Sequence, residues 1–309
     1  MATPLPTPRR FGDYELLALL GRGGMAEVFR ARVLAGPREG ELLALKRLLP
    51  GLADDADSVA QFAREADLSR LLKHPNIVQV LEAGDVQGRG YIAMELVDGR
   101  DLGQILRRCQ ARGIPLPIDF ALYLSHMLFE ALSHAHTATG ERGEPLGVVH
   151  CDVSPSNLFI SRTGEIKLGD FGVARGLRHG TEGEVLGKPY YVSPEVLEGH
   201  IDPLADLWAG TVVLYELLTL QRPFRGTTPE EVFQAARARN YIPVRDLRPD
   251  VPPWVEALVA LGFHLEPTSR PGTAREFCNA LEPLYDPDIG TPLAIAAVVR
   301  GLFGVSDPA

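Results

Sequence analysis

The hydrophobic pattern of this chain changes period at Asp98-Gly99, and that change limits the folds open to it. Before it, Tyr14 to Leu20, Glu27 to Val33 and Leu42 to Leu48 read as strands separated by Gly-rich or Gly-Pro turns. Ile77 to Leu81 and Tyr91 to Leu96 read as two further strands, with Gly88-Arg89-Gly90 turning the chain before the second. Between them Asp54 to Leu72 reads as a helix with Phe62, Leu68 and Leu72 on one face. After Asp98-Gly99 the pattern is helical. Ile118 to His136 is long and periodic, and Leu204 to Leu220 is apolar on nearly all sides, as a central helix is. Pro229 to Arg239, Pro253 to Phe263 and Thr273 to Leu284 each open on a Pro or Thr start signal. A strand-rich first lobe, residues 11–97, joined by a short hinge to a helical second lobe, residues 98–285, suits an enzyme with a cleft. Residues 1–10 are Pro-rich and polar and read as a disordered tail, and residues 286–309 read as a C-terminal extension.

Charge and cysteine usage narrow the function classes. A net charge of -9 over 309 residues argues against a dedicated nucleic-acid binder, which presents a basic face. The three cysteines, Cys109, Cys151 and Cys278, are too few and too far apart for a disulfide framework, which favours a reducing, cytoplasmic setting. No signal peptide is expected at the start. Leu204 to Leu220 contains Asp206 and Glu216, and Pro292 to Val305 is interrupted by Arg300; both fall short of the roughly 20 apolar residues of a membrane span.

Chemistry concentrates around His150-Cys151-Asp152, followed by Asn157 and by Asp170-Phe171-Gly172. Three oxygen-bearing side chains in a short strand-forming segment suit a site that takes a proton from a hydroxyl and holds a divalent metal against phosphate. Gly21-Arg22-Gly23-Gly24 lies between two strands, where glycine lets backbone N–H groups approach phosphate oxygens. A strand, not a helix, follows it, which excludes a dinucleotide-binding turn, and no Gly-Lys-Ser/Thr is present for a Walker-type loop. Glu65 falls on the apolar face of the first helix, where a charge needs a cation. Alternation along Leu43-Ala44-Leu45-Lys46 places Ala44 and Lys46 on one face.

Taken in order, Gly21, Gly23, Lys46, Glu65, Asp152, Asn157 and Asp170 resemble the protein kinase signature set, most closely that of bacterial eukaryotic-type Ser/Thr kinases. The resemblance covers about Tyr14 to Leu284. It implies an α+β, bilobal kinase-like fold: a five-stranded antiparallel sheet plus one helix, then a mainly helical lobe. It implies ATP and Mg2+ as cofactors and protein Ser/Thr hydroxyls as substrates, with neither a nucleic-acid partner nor a membrane span. Asp152 is then the catalytic base, Lys46 and Glu65 the phosphate-positioning ion pair, and Asn157 and Asp170 the metal ligands. Leu20, Gly21, Gly23, Gly24, Val28, Ala44, Lys46, Met94, Glu95, Leu96 and Phe159 surround the nucleotide, with Met94 as gatekeeper and Met94-Glu95-Leu96-Val97 as the hinge presenting backbone groups to adenine. Ser193-Pro194-Glu195 resembles the motif that closes the activation segment, Arg270 the Arg that pairs with its Glu, and Asp206 the Asp that ties down the catalytic loop.

Four positions depart from the family pattern. Ala26 replaces the third glycine of the loop. Cys151 replaces the Arg that receives a phosphorylated activation-loop residue, so activity is expected to depend little on such phosphorylation. Thr181 is the only Ser or Thr between Val173 and Gly187, with Arg175 and Arg178 as alternative receptors. Ser154 stands where a Lys contacts the transferred phosphate, and Lys188 where a Thr contacts that Lys. The exchange implies that Lys188 reaches back beside Asp152 as a catalytic cation. The same departures motivate an alternative, a nucleotide-binding pseudokinase scaffold. The loop Thr139 to Pro145, before the catalytic strand, is long for the family and has no assigned role.

Overall fold

The computed structural model describes residues 3–171 and 188–304, and the chain divides after Asp98 into two compact units. In the first unit, β1 (Thr3–Phe11), β2 (Tyr14–Arg22), β3 (Ala26–Val33), β4 (Leu42–Leu48), β5 (Val80–Val86) and β6 (Arg89–Glu95) form one antiparallel sheet in the order β1-β2-β3-β4-β6-β5. One helix, α1 (Ala56–Leu71), completes the unit, capped by the Asp55 side chain on the Ser58 amide.

The sheet has six strands, not five. The residues read as a disordered tail pair with β2, from Thr3 opposite Leu19 to Phe11 opposite Tyr14. Prolines at 4, 6 and 8 argue against a central strand, but β1 lies at the sheet edge, where a missing N–H is tolerated. Phe11, buried against the Tyr91 ring at 5.9 Å, anchors it. The strand expected over Ile77 to Leu81 instead runs from Val80 to Val86. The turn at Gln87-Gly88, both at positive φ and fastened by the Gly88 amide donating to Asp85, sets the β5–β6 register.

Side-chain alternation divides the sheet into two apolar faces. Leu43 and Leu45 join Tyr14, Leu16, Phe29 and Tyr91 on one. Leu48 joins Ala26, Phe62, Ala66 and Ile92 on the other, beneath α1. Phe62, Ala66 and Ser69 are the buried residues of α1; Leu68, expected on that face, is only half-buried.

In the second unit, β7 (Gly99–Asp101), β8 (Leu158–Ser161) and β9 (Ile166–Leu168) form a small antiparallel sheet. The helices are α2 (Leu102–Arg112), α3 (Ile118–His136), α4 (Pro203–Thr219), α5 (Pro229–Arg237), α6 (Val244–Leu247), α7 (Pro253–Gly262), α8 (Ala274–Leu281) and α9 (Pro292–Phe303). Helix α4 is buried continuously from Ala205 to Leu218, which explains its lack of a polar face. Phe129 of α3 stacks on Phe277 of α8, centroids 4.2 Å apart. Helix α2 was not anticipated, although Leu102, Ile105, Leu106 and Cys109 recur at helical spacing and are all buried. Helix α9 lies in the compact unit rather than apart from it. Arg108 Nε and Arg112 Nη1 donate to the Leu302 and Gly301 carbonyls, satisfying the C-terminal end of α9. Among the described residues no helix is long and apolar enough to cross a membrane.

Candidate active site

Helix α1 and strand β4 create the first element of the site. Glu65 lies one turn from the buried Phe62, and Lys46 follows the buried Leu45 on the strand below. Lys46 Nζ donates to Glu65 Oε1 at 2.5 Å, with both side chains largely shielded. The acid on the apolar helix face thus has its cation. In the same unit Leu20 and Gly21 lie near the end of β2, and Gly23 and Gly24 form the turn to β3, closed by the Gly23 amide donating to Ala26 O at 2.8 Å. None of these three glycines has a positive φ, and a Cβ on Gly21 or Gly24 meets no described atom within 4 Å. The fold itself therefore does not require glycine there. Glycine there leaves the backbone uncovered by a side chain. Val28 is half-buried on β3, and Ala44 is buried on β4. Met94 and Glu95 end β6, followed by half-buried Leu96. The Glu95 carboxylate accepts from the Gln79 amide at 2.8 Å, fixing this strand end.

The second unit assembles the acids. Asp206, one turn into α4 and fully buried, accepts from the His150 amide at 2.8 Å, the Cys151 amide at 2.9 Å and His136 Nε2 at 2.8 Å. Burial alone would raise its carboxyl, but these donors more than offset that and hold it below the usual range. Cys151, a non-glycine residue at φ 61°, is pinned by this contact. Its thiol is pushed far up by burial and by Asp206 and Asp152, so it is no nucleophile. His150 Nε2–H donates to Gly169 O at 2.9 Å while Nδ1 accepts from the Asp152 amide at 3.2 Å, joining the loop to the residue before Asp170.

An acid held low in the folded state contributes stability that is complete above its unfolded value, about 4, and is lost as pH falls through the folded value. Wild-type stability should therefore drop below about pH 4, and Asp206→Asn should flatten that drop while lowering stability at neutral pH. Urea midpoints against pH check both.

Asp152 is surrounded by donors. Asn157 Nδ2 donates to Asp152 O and to its Oδ2, each at 2.8 Å. Lys188 Nζ donates to Oδ1 and Oδ2 at 3.2 Å and to Ser154 Oγ at 2.8 Å. Lys188, Ser154 and Asp152 thus form one cluster. The Asn157 carbonyl accepts from the Gly169 amide at 2.9 Å, so Asn157 and Asp170 flank the open end of the β8–β9 hairpin. With its amide nitrogen used on Asp152, Asn157 keeps its side-chain oxygen as a hard donor. Asp170 adds a carboxylate, the donor type that suits a divalent cation. Phe159 is half-buried on β8. Gly172, Arg175, Arg178 and Thr181 lie outside the described residues.

Farther from the acids, Arg270 and Glu195 form a two-fold ion pair, Nη1 to Oε1 at 2.6 Å and Nη2 to Oε2 at 2.8 Å. Glu216, the second acid of α4, accepts from Tyr191 Oη at 2.7 Å. The stretch from Thr139 to Pro145 is a small closed hairpin, with the Gly140 amide donating to Glu144 O at 2.8 Å. His136 was not foreseen as a support for Asp206; only its place in the last turn of α3 hinted at a function.

The family model described as "Protein kinase domain" matches residues 14–281. The chain belongs to the protein kinase family. It is 37% identical over 306 residues to "Tyrosine-protein kinase MasK" of Myxococcus xanthus, covering 97% of this chain and 47% of that protein. It is 32% identical over 281 residues to "Serine/threonine-protein kinase PrkC" of Bacillus subtilis, covering 90% and 41%. The crystal structure of the Mycobacterium tuberculosis PknI kinase domain superposes with TM-score 0.66 at 26% identity, covering 91% of this chain and 99% of that one. The kinase domain thus resembles those of bacterial eukaryotic-type kinases, and the chain spans less than half the length of the two curated relatives.

Proposed function

We propose that the chain is an active ATP-dependent protein kinase that phosphorylates Ser and Thr hydroxyls of protein substrates, itself included, in bacterial signalling. The carrying observation is Asp152, whose carboxylate is oriented by Asn157 and flanked by the Lys188 ammonium. In this reading Asp152 accepts the substrate hydroxyl proton as the oxygen bonds to the γ-phosphorus and ADP departs. Lys188 offsets negative charge beside it, and Lys46, held by Glu65, positions the phosphates of ATP under Gly21, Gly23 and Gly24. Asn157 and Asp170 offer the oxygens for Mg2+, which when bound neutralises phosphate charge. Leu20, Val28, Ala44, Met94, Glu95 and Leu96 of the first unit are assigned to adenine binding, and the family resemblance gives Phe159 the same role. The full set of acids and the Lys46–Glu65 pair disfavour the pseudokinase scaffold.

The deciding experiment is transfer of radiolabel from ATP to generic protein substrates, wild type against Asp152→Asn, followed by phosphoamino-acid analysis. Asp152-dependent phosphoserine and phosphothreonine are expected. Phosphotyrosine alone would favour the activity in MasK's name, and nucleotide binding without Asp152-dependent transfer would favour the scaffold.

Loop phosphorylation provides a second expectation. Because Cys151 is uncharged and cannot pair with a phosphate, Thr181→Ala should change kcat by less than about threefold. A collapse of activity would assign the phosphate to Arg175 or Arg178 instead.

A further inference from the structure

An open groove of about 960 Å³ in the second unit adjoins the Asp152 cluster and shares Ser154 and Lys188 with it. Helix α2 contributes Arg107, and the segment after α4 contributes Arg222 and Arg225. Among the described residues Glu216 is the one acidic side chain on its wall. That acid accepts from the buried Tyr191 hydroxyl and lies 3.9 Å from Arg222 Nε, so its charge is already engaged within the protein. Lys188 is engaged by Asp152. Arg107, Arg222 and Arg225 set the groove's field, with Arg222 at the edge of ion-pair range of Glu216, 3.9 Å away. Arg222 is preorganised, its guanidinium 3.7 Å from the Tyr190 ring centroid. Arg225 donates to Arg222 O and to the Gln221 side chain, and Arg107 is exposed. A cationic groove on a chain of net charge -9 runs against the overall balance, so its sign is a local property.

Resting on the kinase reading, we infer that Arg107, Arg222 and Arg225 select substrates whose acceptor Ser or Thr is flanked by acidic side chains. A basic segment in this groove meets like charge, and a neutral one brings the guanidinium groups no further anionic partner.

The test uses one Ser-containing peptide made in acidic, neutral and basic-flanked forms. The acidic form should exceed the basic one in kcat/KM by about tenfold, as expected for a few half-exposed ionic contacts acting together. The difference should reside in KM and shrink at about 0.5 M salt. Arg107→Glu with Arg225→Glu should reverse the order, and Arg107→Lys with Arg225→Lys should keep it. Equal kcat/KM across the series, or a basic preference, overturns the inference while leaving the kinase reading intact. Binding of the labelled peptides to Asp152→Asn, read by fluorescence anisotropy, needs no transfer. The acidic peptide binding more tightly there supports the groove even if transfer fails, and equal binding overturns it.

Discussion

Arg270→Ala is expected to lower folding stability by about 3–5 kcal/mol, the cost of leaving one member of a buried ion pair alone. The Arg270 side chain has no solvent exposure, and its partner Glu195 is also buried. Besides holding both Glu195 oxygens, Arg270 donates from Nε to His264 O at 2.9 Å and from Nη1 to Leu204 O at 3.0 Å. Its guanidinium also lies 5.0 Å from the Trp208 ring centroid. One truncation therefore strands a carboxylate and removes donors from two carbonyls. Burial alone would raise Glu195, but Arg270 more than offsets it and holds the acid low. Domains are commonly stable by about 5–15 kcal/mol, so the loss is a large share of the whole. Arg270→Lys should recover little, since an ammonium cannot bind both carboxylate oxygens side by side. Urea unfolding should show a lower midpoint with an unchanged slope. Glu195→Ala with Arg270→Ala should cost less than the sum of the singles. A loss under about 1 kcal/mol, the range of exposed pairs, would mean that the pair is solvated.

The second large effect concerns turnover. Asp152→Asn should reduce kcat by about 10²–10⁴-fold, the usual contribution of a positioned base. Lys188→Thr should reduce it by about 10–100-fold, as expected for loss of one charge-stabilising donor. Ser154→Lys alone should also impair transfer, because a second ammonium would be placed where Lys188 now donates to Ser154 at 2.8 Å. Combining Ser154→Lys with Lys188→Thr should recover part of the activity, since one cation then remains beside Asp152. Single-turnover kinetics at saturating ATP give the comparison. Losses that simply multiply would show that the two positions act independently, leaving Lys188 as an Asp152 contact without an exchange.

The local features were legible without coordinates. The change of period at Asp98-Gly99 coincides with the division between the compact units. Glu65 on an apolar helix face announced its partner Lys46. Other features were misread because their meaning is positional. Prolines before Phe11 look like a tail until the segment is known to be a sheet edge. Helix α2 carries enough arginine and glutamine to mask its buried stripe. The reading of residues 286–309 as an extension gave no sign that the arginines of α2 hold the end of α9.

The sequence by itself determined the family, because periodicity and motif spacing are local properties written along the chain. It also raised the Ser154–Lys188 exchange as a question. Only tertiary structure could bring Lys188 within hydrogen-bonding distance of both Asp152 and Ser154. The same holds for His136 beneath Asp206, and for Arg107 of α2 in one groove with Arg222 and Arg225. The physical reason is that charge–charge and hydrogen-bond energies depend on distance through space. Packing sets that distance, and spacing along the chain does not.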